Sequence, residues 1–144
     1  MTAAAMITAA RACLGTPFHH QGRLPGVGLD CIGLIVVALQ AARIVVADRQ
    51  DYARRPDGTA LAAALAAHGA RHVDAAMPGD VLLFAFDRQP QHVALMSAAD
   101  VMIHAYAPAG KVVEVCLNPS WRRRLVSAWR FDDCEIPFHH VRET

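Results

Sequence analysis

Residues 26–34 read Gly-Val-Gly-Leu-Asp-Cys-Ile-Gly-Leu (GVGLDCIGL) and mark the boundary between a loop and a helix. The preceding residues, from Gly15 onward, are rich in glycine and proline, which is typical of a shaped loop. From Asp30 to about Arg43 the sequence is apolar on nearly every side, so we expect a centrally buried helix. Asp30 is a suitable N-cap for this helix, and Cys31 then occupies its first turn.

The position of Cys31 decides which chemistry this helix could support. The first amide N–H groups of a helix lack partners within the helix, and the helix dipole favours negative charge at that end. Both effects predict a stabilised thiolate at Cys31, and the same amides could hold an oxyanion. The alternative is that Cys31 is a small buried core residue, which is the common position of a free cysteine.

The rest of the chain changes from helical to strand-like patterns. A short amphipathic helix is expected at the N-terminus and an alanine-rich helix at about 59–68. Five apolar segments between short turns then predict strands, namely PGDVLLFAF, QHVALMS, VMIHAY, KVVEVCL and LVSAWRF. Helices followed by hairpin-linked strands indicate an α+β domain with an antiparallel sheet of about five strands. At 144 residues the chain is predicted to form a single domain, 1–144, with an irregular tail at 132–144.

Two histidines are candidates for the base that a thiol nucleophile needs. His92 opens one predicted strand and His104 lies within the next, and both are equally distant from Ala98 in the expected turn. A hairpin centred on Ala98 would place the two imidazoles directly opposite each other on one face. One imidazole could then take the proton of Cys31 while the other orients it. For each histidine alone, the alternative is a half-buried structural residue.

Composition and spacing argue against several other classes of protein. A net charge of +1, and basic residues Arg122–Arg124 without interleaved aromatic residues, argue against direct nucleic-acid binding. The longest apolar run is too short to span a bilayer, so no membrane insertion is expected. The four cysteines form no C-x-x-C pair, and His19–His20 have no further ligands at metal-binding spacing, so no metal site is expected. The N-terminus lacks the pattern of a secretion signal, which favours synthesis in the cytoplasm.

Four motifs in a fixed order resemble those of the NlpC/P60 superfamily of papain-like cysteine peptidases. They are GTPFHHQG…GVGLDCIGL, PGDVLLFAF, QHVALM and MIHAY, and the resemblance extends over about residues 8–131. The segments HHQG, QPQHVA and HAYAPAGKVVE are similar to those of short, stand-alone members found among the tail genes of bacteriophages and gene transfer agents. The resemblance implies the papain-like fold, in which the nucleophile helix packs on the antiparallel sheet.

The resemblance also implies a reaction and three roles. It implies Cys31 as the nucleophile, His92 as the general base and His104 as the residue that orients the base. Family members typically hydrolyse peptide bonds in the stem of bacterial peptidoglycan, often the bond between γ-D-glutamate and a diamino acid. No metal or organic cofactor is expected from the resemblance.

Three more residues, Asp30, Phe18 and His20, are implied as substrate-binding candidates. Asp30 matches the aspartate that precedes the nucleophile in the family, where it serves either as the N-cap or as a contact for a substrate amine. Many family members carry a tyrosine, whose hydroxyl assists the oxyanion site, where this chain has Phe18. Because Phe18 cannot donate a hydrogen bond, backbone amides or His20 would replace it, or activity would be reduced.

The likeness to tail-encoded members implies a partner and a route to the cell wall. We expect hub or baseplate proteins of a phage-like tail as partners, with local digestion of the wall during DNA delivery. The apolar C-terminal residues Trp129, Ile136 and Phe138 are the expected docking element. Two alternatives stay open: a tail structural protein that keeps the fold without the activity, and an amidase or acyltransferase on the same fold.

Overall fold

The computed structural model describes residues 2–48, 58–86 and 89–133. Its helices are α1 (Thr2–Ala12), α2 (Cys31–Ala41), α3 (Gly58–Ala67) and α4 (Pro119–Arg124). Its strands are β1 (Arg23–Leu24), β2 (Gly28–Leu29), β3 (Arg71–Val73), β4 (Val81–Phe86), β5 (Gln89–Ala98), β6 (Val101–Tyr106), β7 (Lys111–Cys116) and β8 (Leu125–Arg130). A 3-10 turn, Ala107–Ala109, connects β6 to β7.

Within the described residues, six strands form one antiparallel sheet in the order β3-β8-β4-β5-β6-β7. The predicted α+β class and antiparallel sheet are therefore confirmed, but the sheet has six strands where about five were expected. The additional strand is β3, which pairs with β8 through Arg71, His72 and Val73. A strand of three residues is too short to show an alternating pattern in the sequence, and its partner lies far along the chain.

The sheet is covered on both faces, which explains why the residues of β4 are apolar in succession. Val81 and Leu83 contribute to a core shared with helices α1, α2 and α3. Leu82 and Phe84 alternate with them and belong to a second core on the other face, where Trp121 of α4 packs. The side chains of these four β4 residues are almost completely buried. Each contributes about 1.5–3 kcal/mol to the stability of the fold relative to an exposed position.

The Pro-Gly-Asp turn before β4 joins the sheet to helix α1. The buried carboxylate of Asp80 accepts hydrogen bonds from the backbone N–H of Met77 at 2.8 Å and from Arg130 of β8 at 2.9 Å. Gly79 has a φ of +96°, and a Cβ at this position would lie 2.3 Å from the Cβ of Ala3. The turn therefore requires glycine both for its backbone conformation and for the close approach of α1.

Trp129, one of the residues expected in the C-terminal docking element, lies in strand β8. It is paired with Val81 of β4 and with His72 of β3, and its ring contacts that of His72 at a centroid distance of 5.6 Å. This position agrees with the predicted strand LVSAWRF, and the docking role of Trp129 stays a prediction. Ile136 and Phe138 lie outside the described residues.

None of the helices in the described ranges has both the length and the apolar composition that crossing a membrane requires.

Candidate active site

Asp30 fixes the start of helix α2. Its Oδ1 accepts the backbone N–H of Gly33 at 2.7 Å, which is the predicted N-cap bond. Its Oδ2 accepts the backbone N–H of Gln21 at 2.8 Å, and Arg23 approaches Oδ1 at 3.2 Å. The carboxylate is 3% exposed, so it holds the preceding loop against the helix. This geometry favours the N-cap role over contact with a substrate amine.

Gly33 explains why the motif needs a small residue two positions after the cysteine. A Cβ on Gly33 would lie 2.1 Å from the carbonyl oxygen of Gly22. Because real Cβ atoms do not approach that closely, only glycine lets the Gly22 loop lie across the first turn of α2. The loop is thereby held directly against the start of α2.

Cys31 lies at the first position of α2, as predicted, and is 8% exposed. Burial raises the pKa of its thiol to about 12, because the charged thiolate would lose its solvation there. This value includes the backbone N–H groups of Val93, Ile32 and Cys31 itself, which lower the pKa, and the Asp30 carboxylate, which raises it together with burial. The amides at the helix start lower the pKa of Cys31 as predicted, but burial outweighs them, so the net shift is upward and the expected thiolate is not the favoured form.

The structure brings His92 and His104 into direct contact. Nε2 of His92 and Nδ1 of His104 are 2.7 Å apart, and both side chains are buried. The predicted register was wrong, however, because Leu95 pairs with Ile103 and Met96 with Met102. On this register Ala94, and not His92, is the position opposite His104.

The two histidines meet although the register differs from the prediction by two residues. A shift of two keeps every side chain on its original face, since successive residues of a strand alternate. His92 and His104 are therefore diagonal neighbours, and such pairs are within reach of each other when the side chains are long or aromatic. The predicted contact is confirmed for this reason.

Both imidazoles are neutral in the folded protein at ordinary pH. Burial, together with the neighbouring His104, lowers the pKa of His92 to about 3. Burial also lowers the pKa of His104, to about 4. A neutral pair needs one ring N–H to donate to the other ring, and the 2.7 Å separation is that of such a bond.

Aromatic rings surround the histidine pair on the face of the sheet that carries α4. Trp121 of α4 packs edge-on against His104 at 5.1 Å and lies 5.9 Å from His92. Tyr106 stacks on His104 at 4.9 Å, and Phe86 lies 5.7 Å from His92. The sequence pattern does not predict these contacts, although Tyr106 follows His104 by two residues and so shares its face. Trp121 comes from another element and could be found only in the tertiary structure.

The Cys31 thiol and the His92 imidazole flank the same peptide unit. The thiol lies beside the backbone N–H of Val93, the residue that follows His92 in β5. Val93 belongs to the core that contains Cys31, whereas the His92 ring contacts Phe84 and Trp121 on the other face. Among the bonds of the described residues, none joins the thiol to either imidazole.

The other predicted site residues lie in the loop before α2. Phe18 is half-buried and packs against the core, and its backbone N–H donates to Gly110 at 2.9 Å. His20 is half-buried in the turn that Gly22 closes onto the carbonyl of His19. In residues 2–48, 58–86 and 89–133, no group of three histidine, cysteine or acidic residues is arranged to hold a metal ion.

The fold and the site define an α+β domain of the papain-like type, with a cysteine at a helix start and two histidines on neighbouring strands. A model of the NlpC/P60 family matches residues 15–130, and the chain belongs to this family. The predicted resemblance is thereby confirmed at the level of the family.

Solved structures show the same fold. An NlpC/P60 family protein from Bacillus cereus is 24% identical with a TM-score of 0.69, over 92% of this chain and 40% of that protein. The peptidoglycan hydrolase RipB from Mycobacterium tuberculosis is 21% identical with a TM-score of 0.65, over 93% of this chain and 66% of that one. The NlpC/p60 domain of the peptidoglycan hydrolase SagA is 25% identical with a TM-score of 0.63, over 90% and 98%. A comparison with curated protein sequences finds no match.

Proposed function

We propose that this protein is a cysteine peptidase that hydrolyses peptide bonds in the stem of bacterial peptidoglycan. The observation that carries the proposal is the hydrogen-bonded pair His92–His104, placed one peptide unit from the Cys31 thiol at a helix start. Membership of the NlpC/P60 family supports the reaction class. RipB and SagA, which share the fold, are peptidoglycan hydrolases and support the choice of substrate.

The bond between the imidazoles suggests which nitrogen acts as the base. If Nε2–H of His92 donates to Nδ1 of His104, the lone pair of His92 Nδ1 is left to accept a proton. His104 then holds the His92 ring in one tautomer and one orientation, which is the role of the third group in a catalytic triad. Trp121 and Tyr106 pack against the pair and restrict both rings.

The proposed reaction proceeds in two steps. In the first, the Cys31 sulfur bonds to the scissile carbonyl carbon while the thiol proton passes to His92. The oxyanion that forms accepts hydrogen bonds from the N–H groups at the start of α2. His92 then protonates the leaving amine, the C–N bond breaks, and a thioester forms. In the second step, His92 takes a proton from water as the water oxygen bonds to the thioester carbon. The C–S bond then breaks, the acid is released, and the proton on His92 returns to the Cys31 sulfur.

Burial changes the starting state of this reaction. Since burial raises the pKa of Cys31 to about 12 and lowers that of His92 to about 3, the resting pair is a neutral thiol and a neutral imidazole. The proton therefore moves during attack. The proposed attack requires the thiol and the His92 ring to come within hydrogen-bond distance when substrate binds, because no bond joins them in the described residues.

The experiment compares purified wild-type protein with Cys31→Ala and with Cys116→Ala, which removes an exposed cysteine outside the site. Each is incubated with peptidoglycan and with defined stem peptides under reducing conditions, and the fragments are identified by mass spectrometry. We expect cleavage by the wild type and by Cys116→Ala, and none by Cys31→Ala. Cleavage that persists in Cys31→Ala would contradict the proposal.

The finer part of the proposal concerns delivery. We infer that the chain is carried by a phage-like tail, bound to hub or baseplate proteins, and opens the wall during DNA delivery. The likeness of HHQG, QPQHVA and HAYAPAGKVVE to tail-encoded family members supports this route. Mass spectrometry of purified particles is expected to detect the chain together with tail proteins. Particles without it would overturn the delivery route and leave the peptidase proposal standing.

A tail structural protein that keeps the fold without the activity is the second candidate. Two observations favour it: the Cys31 thiol is buried without a bond to His92, and Phe18 supplies no hydroxyl. The variant Phe18→Tyr tests the second observation. If the wild type cleaves no stem peptide while Phe18→Tyr does, the missing hydroxyl explains the inactivity, because one oxyanion donor is worth about 2.7–4 kcal/mol.

A further inference from the structure

Strand β1 brings an arginine to the start of helix α2. Arg23 pairs with Leu29 of β2 in the short hairpin that precedes the helix. Because Leu29 is followed directly by Asp30, this pairing places Arg23 beside the residue that caps α2. Nη1 of Arg23 lies 3.2 Å from Oδ1 of Asp30, and the next residue along the chain is Cys31. The proposed reaction assigns no role to this arginine.

The guanidinium of Arg23 is bonded to several groups at once. Its Nε donates to the two carboxylate oxygens of Asp48 at 3.1 and 2.9 Å. Its Nη1 donates to the carbonyl oxygen of Gly22 at 2.9 Å as well as to Asp30. The Gly22 carbonyl is the group that lies across the first turn of α2. Arg23 therefore joins the loop before α2, the carboxylate that caps the helix and the segment that follows it.

The ion pair between Arg23 and Asp30 is shielded from solvent. Their side chains are 12% and 4% exposed. Charges that are so little exposed are screened only weakly by water and salt, and the loss of one partner leaves the other charge uncompensated. The positive charge of Arg23 therefore affects the groups that lie next to the Asp30 carboxylate.

The Cys31 thiol is one of these groups. Burial and, as a smaller cause, the negative charge of Asp30 raise the pKa of this thiol. A positive charge beside the carboxylate opposes the second cause, because a cation favours a thiolate and an anion disfavours it. The same guanidinium fixes the carboxylate whose Oδ1 accepts the N–H of Gly33, and this bond determines where α2 begins.

We propose that Arg23 is a positioning residue for the nucleophile. It holds the Asp30 carboxylate at the start of α2 and compensates its negative charge beside the Cys31 sulfur. The inference rests on the proposed function for the reaction that the sulfur performs. Arg23 acts through Asp30 and not through contact with the substrate.

The rate of alkylation of Cys31 tests this role without depending on cleavage. Iodoacetamide is used at pH 8, and mass spectrometry follows Cys31 together with the exposed Cys116 as an internal reference. Arg23→Gln is expected to slow the alkylation of Cys31 about tenfold, because a pKa higher by about one unit leaves a tenth of the thiolate. If Arg23 only covered the thiol, the same variant would expose it and alkylation would become faster.

Three further variants separate the charge of Arg23 from its part in the fold. Arg23→Lys keeps the positive charge and is expected to retain most of the wild-type rate. The double variant Arg23→Gln/Asp30→Asn removes both charges and is expected to restore the rate, since asparagine keeps an oxygen that can cap the helix. Asp30→Asn alone is expected to react faster than the wild type, because the remaining charge of Arg23 favours the thiolate.

The matched control is Arg71→Gln. It breaks a comparable ion pair, between Arg71 and Asp132 at the β3 edge of the sheet, and is expected to leave the alkylation rate of Cys31 unchanged. Thermal unfolding checks that each variant is folded. In the cleavage assay, Arg23→Gln is expected to lower kcat and leave KM unchanged, because it alters the nucleophile and not a contact with the substrate.

The outcomes distinguish this inference from the proposed reaction. If the wild type cleaves no stem peptide but the alkylation rates follow the expected order, the reaction proposal fails and the role of Arg23 stands. Unchanged or faster alkylation in Arg23→Gln overturns the inference while the reaction stands, and so does a double variant that remains slow or an equal slowing in Arg71→Gln. If Arg23→Gln does not fold, Asp30→Asn decides: a faster rate supports the inference, and a rate equal to or below that of the wild type overturns it.

Discussion

Moderate acid is expected to destabilise this protein through the buried histidine pair. The unfolded chain takes up protons on His92 and His104 around the ordinary pKa of 6.5. The folded protein does not take them up until the pH approaches about 4 for His104 and about 3 for His92. Between these limits the unfolded state binds more protons, so the free energy of unfolding falls as the pH falls.

The size of the effect follows from the two pKa values. Each histidine that is protonated only in the unfolded state reduces stability by about 1.4 kcal/mol per pH unit. At pH 5 the loss is about 2 kcal/mol for each histidine and about 4 kcal/mol for the pair. Because domains are stabilised by only about 5–15 kcal/mol, this loss is a large part of the total.

Urea unfolding at a series of pH values between 5 and 7.5, followed by tryptophan fluorescence, measures the effect. His104→Gln is expected to reduce the pH slope to about half, because one of the two buried imidazoles is removed. Tyr106→Phe changes the same ring cluster without removing an imidazole and is expected to keep the wild-type slope. Arg71 lowers the pKa of Asp132, so this carboxyl titrates below the measured range. An unchanged slope in His104→Gln, or no slope in the wild type, would refute the reasoning.

Two further predictions follow from burial and from backbone geometry. Iodoacetamide at pH 8 is expected to alkylate Cys31 much more slowly than the exposed Cys116, since burial raises the pKa of Cys31 to about 12. Mass spectrometry of native and denatured protein measures both rates. Faster alkylation of Cys31 than of Cys116 would contradict the burial of the Cys31 thiol. Gly79→Ala is expected to destabilise the protein more than Gly69→Ala. Both glycines have a φ of +96°, but only at Gly79 would the new Cβ meet another atom, 2.3 Å away on Ala3. Chemical unfolding measures the free energy of unfolding of each variant. Equal losses of stability would contradict the prediction, because they would show that Ala3 in α1 moves away from the new Cβ at little cost.

Local signals in the sequence determined the elements of this protein. Asp30 predicts the start of α2 because a carboxylate before an apolar run caps the free amides of a helix. The strand that contains His104 is bounded as the pattern predicts, at Val101–Tyr106. The faces of the histidines were also determined locally, since alternation along a strand survives a register error of two residues. The motif order was enough to identify the family.

The tertiary structure alone decided the chemical state of the site. The amides at the helix start favour a thiolate at Cys31, but burial of the thiol in the core of the protein reverses that preference. The same holds for Trp121, whose contact with His92 depends on how α4 packs on the sheet. Solvation and ring contacts depend on residues far apart in the chain, and no local pattern contains that information.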